Sequence, residues 1–347
     1  MSNPLGRGIY LLYLVLSSAV AQQPGPPASP NRQITLDVVV TDKSGKPVPA
    51  LQQQDFTLID NKQPQKILSF QAVNGAAAEP PVEVILLVDE VNTTFTHVAY
   101  ERDQIGRFLK RNGGELPRPA SLAVFSDSGL SISDKVSRDG NALIAELGQN
   151  RNGLRTITRS QGFYGAGDRL DLSLRAIRQL TDYEMARPGR KIVIWISPGW
   201  PLLSGPRVEL TTKDQHTLFD SIVGISDSLR RARITLYAID PLGTSDSGGF
   251  RTVFYETFLK GVKKPSQVQI GNLALQVLAV QSGGRVLNSN NDVAGEIADS
   301  VSDASAFYVI TFDGIPGDGP NDYHALEMKV DKPGLTAHTR TGYYAQP

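Results

Sequence analysis

Residues 82 to 95 read VEVILLVDEVNTTF, and this stretch decides the fold. Val82 to Val88 is an essentially continuous apolar run, the pattern of a strand covered on both faces. It stops at Asp89 and gives way to a polar loop, Asp89-Glu90-Val91-Asn92-Thr93-Thr94-Phe95. A second such run, KIVIWI, spans Lys191 to Ile196, and Ile234 to Ile239 is a third. Helical spacing separates them. Val98, Ile105, Phe108 and Leu109 mark a helix over 97–112, and Leu170, Leu174, Ile177 and Leu180 mark one over 168–186. Further helices are expected at 139–148, 212–232, 266–282 and 291–304, with a hairpin over 120–136 and a short strand at 284–287. Strands alternating with helices give an α/β fold, a doubly wound and mostly parallel sheet covered on both faces.

Working outward, the flanks carry a different pattern. In QITLDVVVTD, residues 33 to 42, Ile34, Leu36, Val38 and Val40 alternate with their neighbours, as in a half-buried strand. Strand-like runs follow at Phe56–Ile59 and Ile67–Phe70, separated by the turn residues Asp60-Asn61-Lys62. Strands return at Phe307–Phe312, Leu326–Val330 and Thr336–Tyr343. Each group is too small to stand alone, so the expectation is an additional antiparallel β-sandwich domain built from both chain ends. The division is 31–75 for its first part, 82–304 for the α/β domain and 305–347 for its second part.

Residues 1 to 21 have a short polar start with Arg7, an apolar run from Ile9 to Leu16, and a small-residue ending Ala19-Val20-Ala21. This is the layout of a secretory signal peptide. The run is short for a bilayer span, so no stable membrane insertion is expected after cleavage. Residues 22 to 30, QQPGPPASP, form a Pro-rich linker. The protein is therefore expected in the periplasm, the cell envelope or outside the cell.

Composition excludes several function classes. The 347 residues suggest roughly two domains. Lys+Arg and Asp+Glu are 35 each, which offers no electrostatic footprint for nucleic acid. The absence of cysteine removes disulfide frameworks, thiolate metal sites and thiol nucleophiles. No P-loop, H-E-x-x-H or G-x-S-x-G sequence occurs. Gly165-Ala166-Gly167 could open a helix around an anion, but Asp168 follows it directly. His97 stands eight residues after Asp89, and a helix-start position on the surface accounts for it.

In a doubly wound sheet, ligands bind beyond the carboxyl ends of the strands. Three loops meet there: 89–95, the segment Gly162-Phe163-Tyr164-Gly165-Ala166-Gly167-Asp168, and Ser197-Pro198-Gly199-Trp200-Pro201. A buried strand ending in Asp, then hairpin strands, then a helix opened by a Gly-rich loop resembles the von Willebrand factor type A domain, a Rossmann-like fold, over about residues 82 to 304. The stretches VVVTDKSGKPVPALQQQDFTLIDNKQPQKILSF, KIVIWISPGWPLLSGPR and GYYAQP resemble exported type A-related proteins of acidobacteria.

The resemblance implies a metal-ion-dependent adhesion site in which a D-x-S-x-S loop, a Thr and an Asp hold a hard divalent ion. Asp89 matches the first Asp, and Thr93 can serve as the second hydroxyl. Asp168 falls near the Thr position. Val91 stands where the first Ser belongs and Pro198 where the last Asp belongs, so two oxygen ligands are gone. Two readings follow. Either Asp89, Thr93 and Asp168, with Asn92, still hold weakly bound Mg²⁺ or Mn²⁺, or Asp89 hydrogen-bonds neighbouring loop amides and no cofactor is used.

The same loops carry Phe95, Phe163, Tyr164, Trp200 and Leu202. With Asn92 these form a candidate face for a protein partner, because aromatic side chains give large contact area at small entropy cost. In the alternative, Trp200 folds back and covers the sheet edge. The expected function is non-enzymatic adhesion or scaffolding with a degenerate metal site. A Mg²⁺/Mn²⁺-dependent adhesion module and a hydrolase with an unrecognised carboxylate site are the alternatives.

Overall fold

The computed structural model describes residues 32–74, 81–149, 163–201, 209–242, 255–288 and 290–347, with backbone only at Phe95, Phe163 and Tyr164. The chain opens with β1 (Gln33–Thr41), β2 (Phe56–Asp60), β3 (Gln63–Gln65) and β4 (Ile67–Asn74). The α/β segment follows: β5 (Glu83–Asp89), α1 (Phe95–Leu109), β6 (Glu115–Ser126), β7 (Gly129–Ile132), β8 (Ser137–Asp139), α2 (Gly140–Gln149), α3 (Phe163–Met185), β9 (Lys191–Ile196), α4 (Thr212–Arg231), β10 (Ile234–Ile239), α5 (Leu275–Gln281), β11 (Val286–Leu287) and α6 (Val293–Ser302). It closes with β12 (Ala306–Asp313), β13 (Asp322–Val330), β14 (Thr336–His338) and β15 (Gly342–Ala345).

The central sheet runs β11-β10-β9-β5-β6-β7, with β8 also on β6. The pairings among β11, β10, β9, β5 and β6 are parallel; β7 and β8 pair with β6 antiparallel. From β5 the chain steps to β6 on one side and later to β9 on the other. The order therefore reverses at β5, and the crevice beyond β5 and β9 is the topological switch point.

Side-chain alternation divides the core into two layers. Ile85, Leu87, Val193 and Trp195 face the side covered by Leu174, Ile177 and Leu180 of α3 and by Phe219, Ile222 and Leu229 of α4. Val84, Leu86, Val88, Ile192, Ile194 and Ile196 face Ile105 and Phe108 of α1 and Ile297 of α6. Each such buried side chain is worth about 1.5–3 kcal/mol, which is why these strands read as apolar throughout. Asp89 continues the Ile85–Leu87 series and so emerges on the Trp195 side.

At the amino end of the sheet, the buried Lys191 serves two helices. Its Nζ donates to the carbonyls of Glu184 at 3.0 Å and Ala232 at 3.2 Å, and to that of Arg187. These carbonyls close α3 and α4, so the cation sits against two helix C-termini. Burial pushes its pKa down.

Strands from both chain ends share two antiparallel four-stranded sheets, β14-β1-β12-β4 and β15-β13-β2-β3. Between them lie Ile34, Leu36, Val38, Phe56, Leu58, Tyr308, Ile310 and Phe312. From Val38 to Thr41 every residue of β1 is buried because the sheet's other face is covered too. Val39 and Phe307 join the α1–α6 layer of the core.

Three expectations differ from the structure. The stretch 266–282 is not one helix: two 3₁₀ turns, Pro265–Gln267 and Ile270–Leu273, precede the short α5. Gly271 is pressed against Phe258, where a Cβ would lie 2.5 Å from the ring. The stretch 336–343 is not one strand, because the chain changes sheets: β14 pairs with β1, and β15 pairs with β13. The Gly-rich segment at 163–168 is not a loop, since α3 already begins at Phe163.

Candidate functional site

The site is built on the loop that follows β5. Asp89 is fully buried. Its Oδ1 accepts from the backbone N–H of Val91 and of Asn92, both at 2.9 Å. Its Oδ2 accepts from Asn92 Nδ2 at 2.9 Å and from the indole Nε1 of Trp195 at 3.1 Å. A carboxylate has about four lone-pair positions, and four N–H donors meet them here. Two donors come from the turn the carboxylate itself closes, as Asp does in Asx turns. The third is the Asn92 side chain, and the fourth comes from the neighbouring strand β9.

Asn92 ties this loop to α3. Its Nδ2 also donates to Ser173 Oγ at 3.0 Å, and Ser173 donates to the carbonyl of Arg169 at 2.8 Å. Thr94 caps α1 by accepting from the His97 N–H, and its Oγ1 lies 3.0 Å from His97 Nδ1. His97 is thus engaged with Thr94, and the Asp89 oxygens are engaged elsewhere. Glu90 turns away from Asp89 to an ion pair with Arg102 at 2.7 Å. Two adjacent carboxylates therefore serve different elements, and no acid–base pair forms between them.

The residues singled out for metal binding do not come together as a type A site. Asp89 has no free lone pair, Val91 is apolar and buried, and Asp168 is exposed on the second turn of α3. Pro198 offers no side-chain oxygen. Ser173, not Asp168, is the α3 residue that reaches the Asp89 loop. Among the described residues, no three His, Asp or Glu side chains converge to hold a metal ion. The donor set does not fit a metal held through Asp89.

Trp200 does not stand out from the third loop as an anchor. It is 3% exposed and packs edge-on against Trp195, with ring centroids 5.1 Å apart. Gly199 makes the turn that folds it back, with φ near +101°. Phe95 opens α1, and Phe163 and Tyr164 open α3, so all three stay at this end of the sheet by backbone position. Leu202 lies outside the described residues.

Sequence reasoning missed several residues here. Within KIVIWI, Trp195 reads as core alone, yet its N–H is the cross-strand tie to Asp89. Glu101 lies fully buried on α1, and neither of its carboxyl oxygens has a hydrogen-bond partner among the described residues. Burial, and then the charges of Asp89 and Glu90, push its pKa well above the usual carboxylate range. Glu296 on α6 is buried as well, and burial followed by Asp240 raises its pKa to about 7. A signal existed for both acids. Glu101 falls in the Val98–Ile105 stripe and Glu296 beside Val293 and Ile297, positions where an apolar residue belongs.

No family model and no curated protein matches the chain. Among solved structures, it is similar to an aerotolerance-related membrane protein from Bacteroides fragilis, at 13% identity and a TM-score of 0.36, over 64% of this chain and 98% of that one. It is also similar to the pilus adhesin SpaC from Lactobacillus rhamnosus GG, at 12% identity and a TM-score of 0.37, over 86% of this chain. The match spans 43% of the adhesin. Neither likeness identifies the chain's family. No helix among the described residues is long and apolar enough to cross a membrane.

Proposed function

We propose that the protein is an exported, non-enzymatic binding module of the von Willebrand factor type A kind. Its partner is a protein, which docks on the loops at the carboxyl ends of β5 and β9. The observation that carries this reading is the saturation of Asp89 by Val91, Asn92 and Trp195. The residue that would be the metal or acid–base centre is spent on holding its own loop. A loop fixed in this way costs little entropy to dock, which favours recognition over chemistry. The paired strands of the two chain ends are consistent with a scaffold that carries such a face.

The test is partner capture by cross-linking from the source envelope, followed by binding measurements on the purified pair. Thr96 is exposed on the first turn of α1, so Thr96→Arg adds bulk to the face without touching the core. It should weaken binding at least about tenfold, while Arg111→Ser at the opposite end leaves it unchanged. A partner held equally by both variants places the interface elsewhere. Turnover of an ester or glycoside substrate that is lost in Asp89→Ala would replace the reading with an enzymatic one.

A further inference from the structure

The seam between the chain-end sheets and the α/β segment holds a buried cation without a counter-ion. Arg340 lies on the crossing from β14 to β15 and is 7% exposed. Among the described residues its guanidinium makes one hydrogen bond, from Nη1 to the Ser226 carbonyl of α4 at 3.3 Å, and no ion pair. It lines a narrow polar cavity of about 20 Å³, together with Arg230, Arg233, Asp37 and Thr235. Contacts fix these groups around the cavity. Arg230 stands one helical turn after Ser226 on α4. Arg233 Nε and Nη2 donate to Asp37 Oδ2 and Oδ1 of β1, at 3.3 Å and 2.5 Å. The Asp37 carbonyl accepts from Thr339 Oγ1 at 2.9 Å, directly beside Arg340 in the chain. Gly283 closes on the same crossing, where a Cβ would lie 2.7 Å from the Thr339 carbonyl carbon.

The charges around the cavity do not balance. Arg233 is paired with Asp37, and Arg230 with Asp227. Asp227 and Asp37 act on Arg340 only from beyond ion-pair distance. The Ser226 carbonyl brings a partial charge, not a full one. Burial, and then the cation of Arg230, push the Arg340 pKa down to about 10, so the group stays charged at neutral pH. A buried charge without a partner is costly. A water molecule in the cavity would accept from the guanidinium but leave the charge uncancelled. An anion cancels it and accepts from the same N–H groups. Thr235 is 5% exposed, and its hydroxyl has no hydrogen bond among the described residues, so it supplies a further donor. Size then selects the ligand. One water-sized sphere needs roughly 10–15 Å³, so the cavity admits a monatomic anion and excludes phosphate, sulfate and carboxylate ligands. We propose that the cavity binds one small inorganic anion of the chloride class, held by Arg340 with Arg230, Arg233 and Thr235, at the seam of β1, α4 and the β14–β15 crossing. The ion joins the chain-end sheets to the α/β segment, because Arg340 belongs to the first and Arg230 to the second.

The test is thermal unfolding of the full chain in sodium gluconate, with sodium chloride replacing it at constant ionic strength. Gluconate is too large for the cavity. Chloride at about 100 mM should raise the midpoint by roughly 2 °C or more. Arg340→Met removes the charge that needs the ion and should abolish the shift, and Arg230→Gln should at least halve it. Arg107→Gln removes an exposed arginine of α1 and should keep the whole shift. Circular dichroism confirms that each variant is folded. Crystals of the parent chain grown in sodium bromide should show an anomalous peak beside the Arg340 guanidinium. That map decides the matter even where Arg340→Met fails to fold. No chloride shift in the parent chain overturns the proposal. So does a shift that persists in folded Arg340→Met, which marks a general salt effect. A cavity holding only water in the bromide crystals, with bromide on surface sites, is an adventitious ion only and overturns it too. None of these outcomes bears on capture of a protein partner, so the two proposals fail separately.

Discussion

The indole N–H of Trp195 donates to Oδ2 of Asp89 across 3.1 Å, joining the ends of β5 and β9 at the switch point of the sheet. Both residues are fully buried. The bond fixes the first loop from below and occupies a carboxylate oxygen that a metal would otherwise use. Trp200 covers the same indole edge-on.

Trp195→Phe keeps an aromatic ring but removes this donor. Hydrogen bonds to charged groups contribute about 1.5–3 kcal/mol, and the smaller ring leaves a void as well. Urea unfolding should show a loss of about 2–4 kcal/mol. A loss below about 0.5 kcal/mol would mean the Trp195 contact holds nothing in place.

Lys191→Met tests the amino end of the sheet. Methionine fills the volume, but the carbonyls of Glu184, Arg187 and Ala232 lose their shared donor. An orphaned buried acceptor costs about 1–3 kcal/mol, so a loss of at least about 3 kcal/mol is expected. Replacing a buried charge by an apolar group is often neutral, but only when no partner is stranded.

The β-sheet core of the chain ends holds its own polar network. Asp60, fully buried on β2, accepts from Tyr343 Oη at 2.6 Å and pairs with His324 Nδ1 at 2.9 Å. Tyr343→Phe should cost about 1–3 kcal/mol. Combined with His324→Gln, the two losses should not add, because both residues serve one carboxylate.

Glu296 gives a pH dependence whose sign is fixed. Burial raises its folded pKa to about 7, above the ordinary glutamate value of 4.5. The unfolded chain releases this proton first, so its contribution is fully present below pH 4.5 and is lost as pH rises through 7. Stability in EDTA should fall by roughly 2–3 kcal/mol across that window, and Glu296→Gln should flatten the fall. The raised pKa of Glu101 acts in the same direction.

Much of the fold is legible in the sequence, and the reasons are physical. The runs at 82–88, 191–196 and 234–239 are apolar on both faces, and that pattern has few other uses. The start of the stretch 266–282 is less legible, because the close approach of Phe258 to Gly271 is a tertiary fact. The site is legible only in part. Asp89 followed by Asn92 suggests a loop-closing carboxylate, and Val91 and Pro198 announce missing ligands. Trp195 hides its role, since a tryptophan within KIVIWI reads as core and its N–H leaves no pattern. Trp200 misleads for the opposite reason: a loop aromatic suggests exposure, whereas the turn at Gly199 buries it. Glu101 was legible as an acid in an apolar stripe.

The most direct test of the account is hydrogen exchange at the indole N–H groups in EDTA. The chain has two tryptophans, so Trp200→Phe assigns the Trp195 signal without ambiguity. The Asp89 hub predicts a Trp195 N–H that is protected with no metal present and loses that protection in Asp89→Asn. A Trp195 N–H that exchanges freely in EDTA and is protected only when Mg²⁺ is added would contradict it. That result would make Asp89 a metal ligand after all.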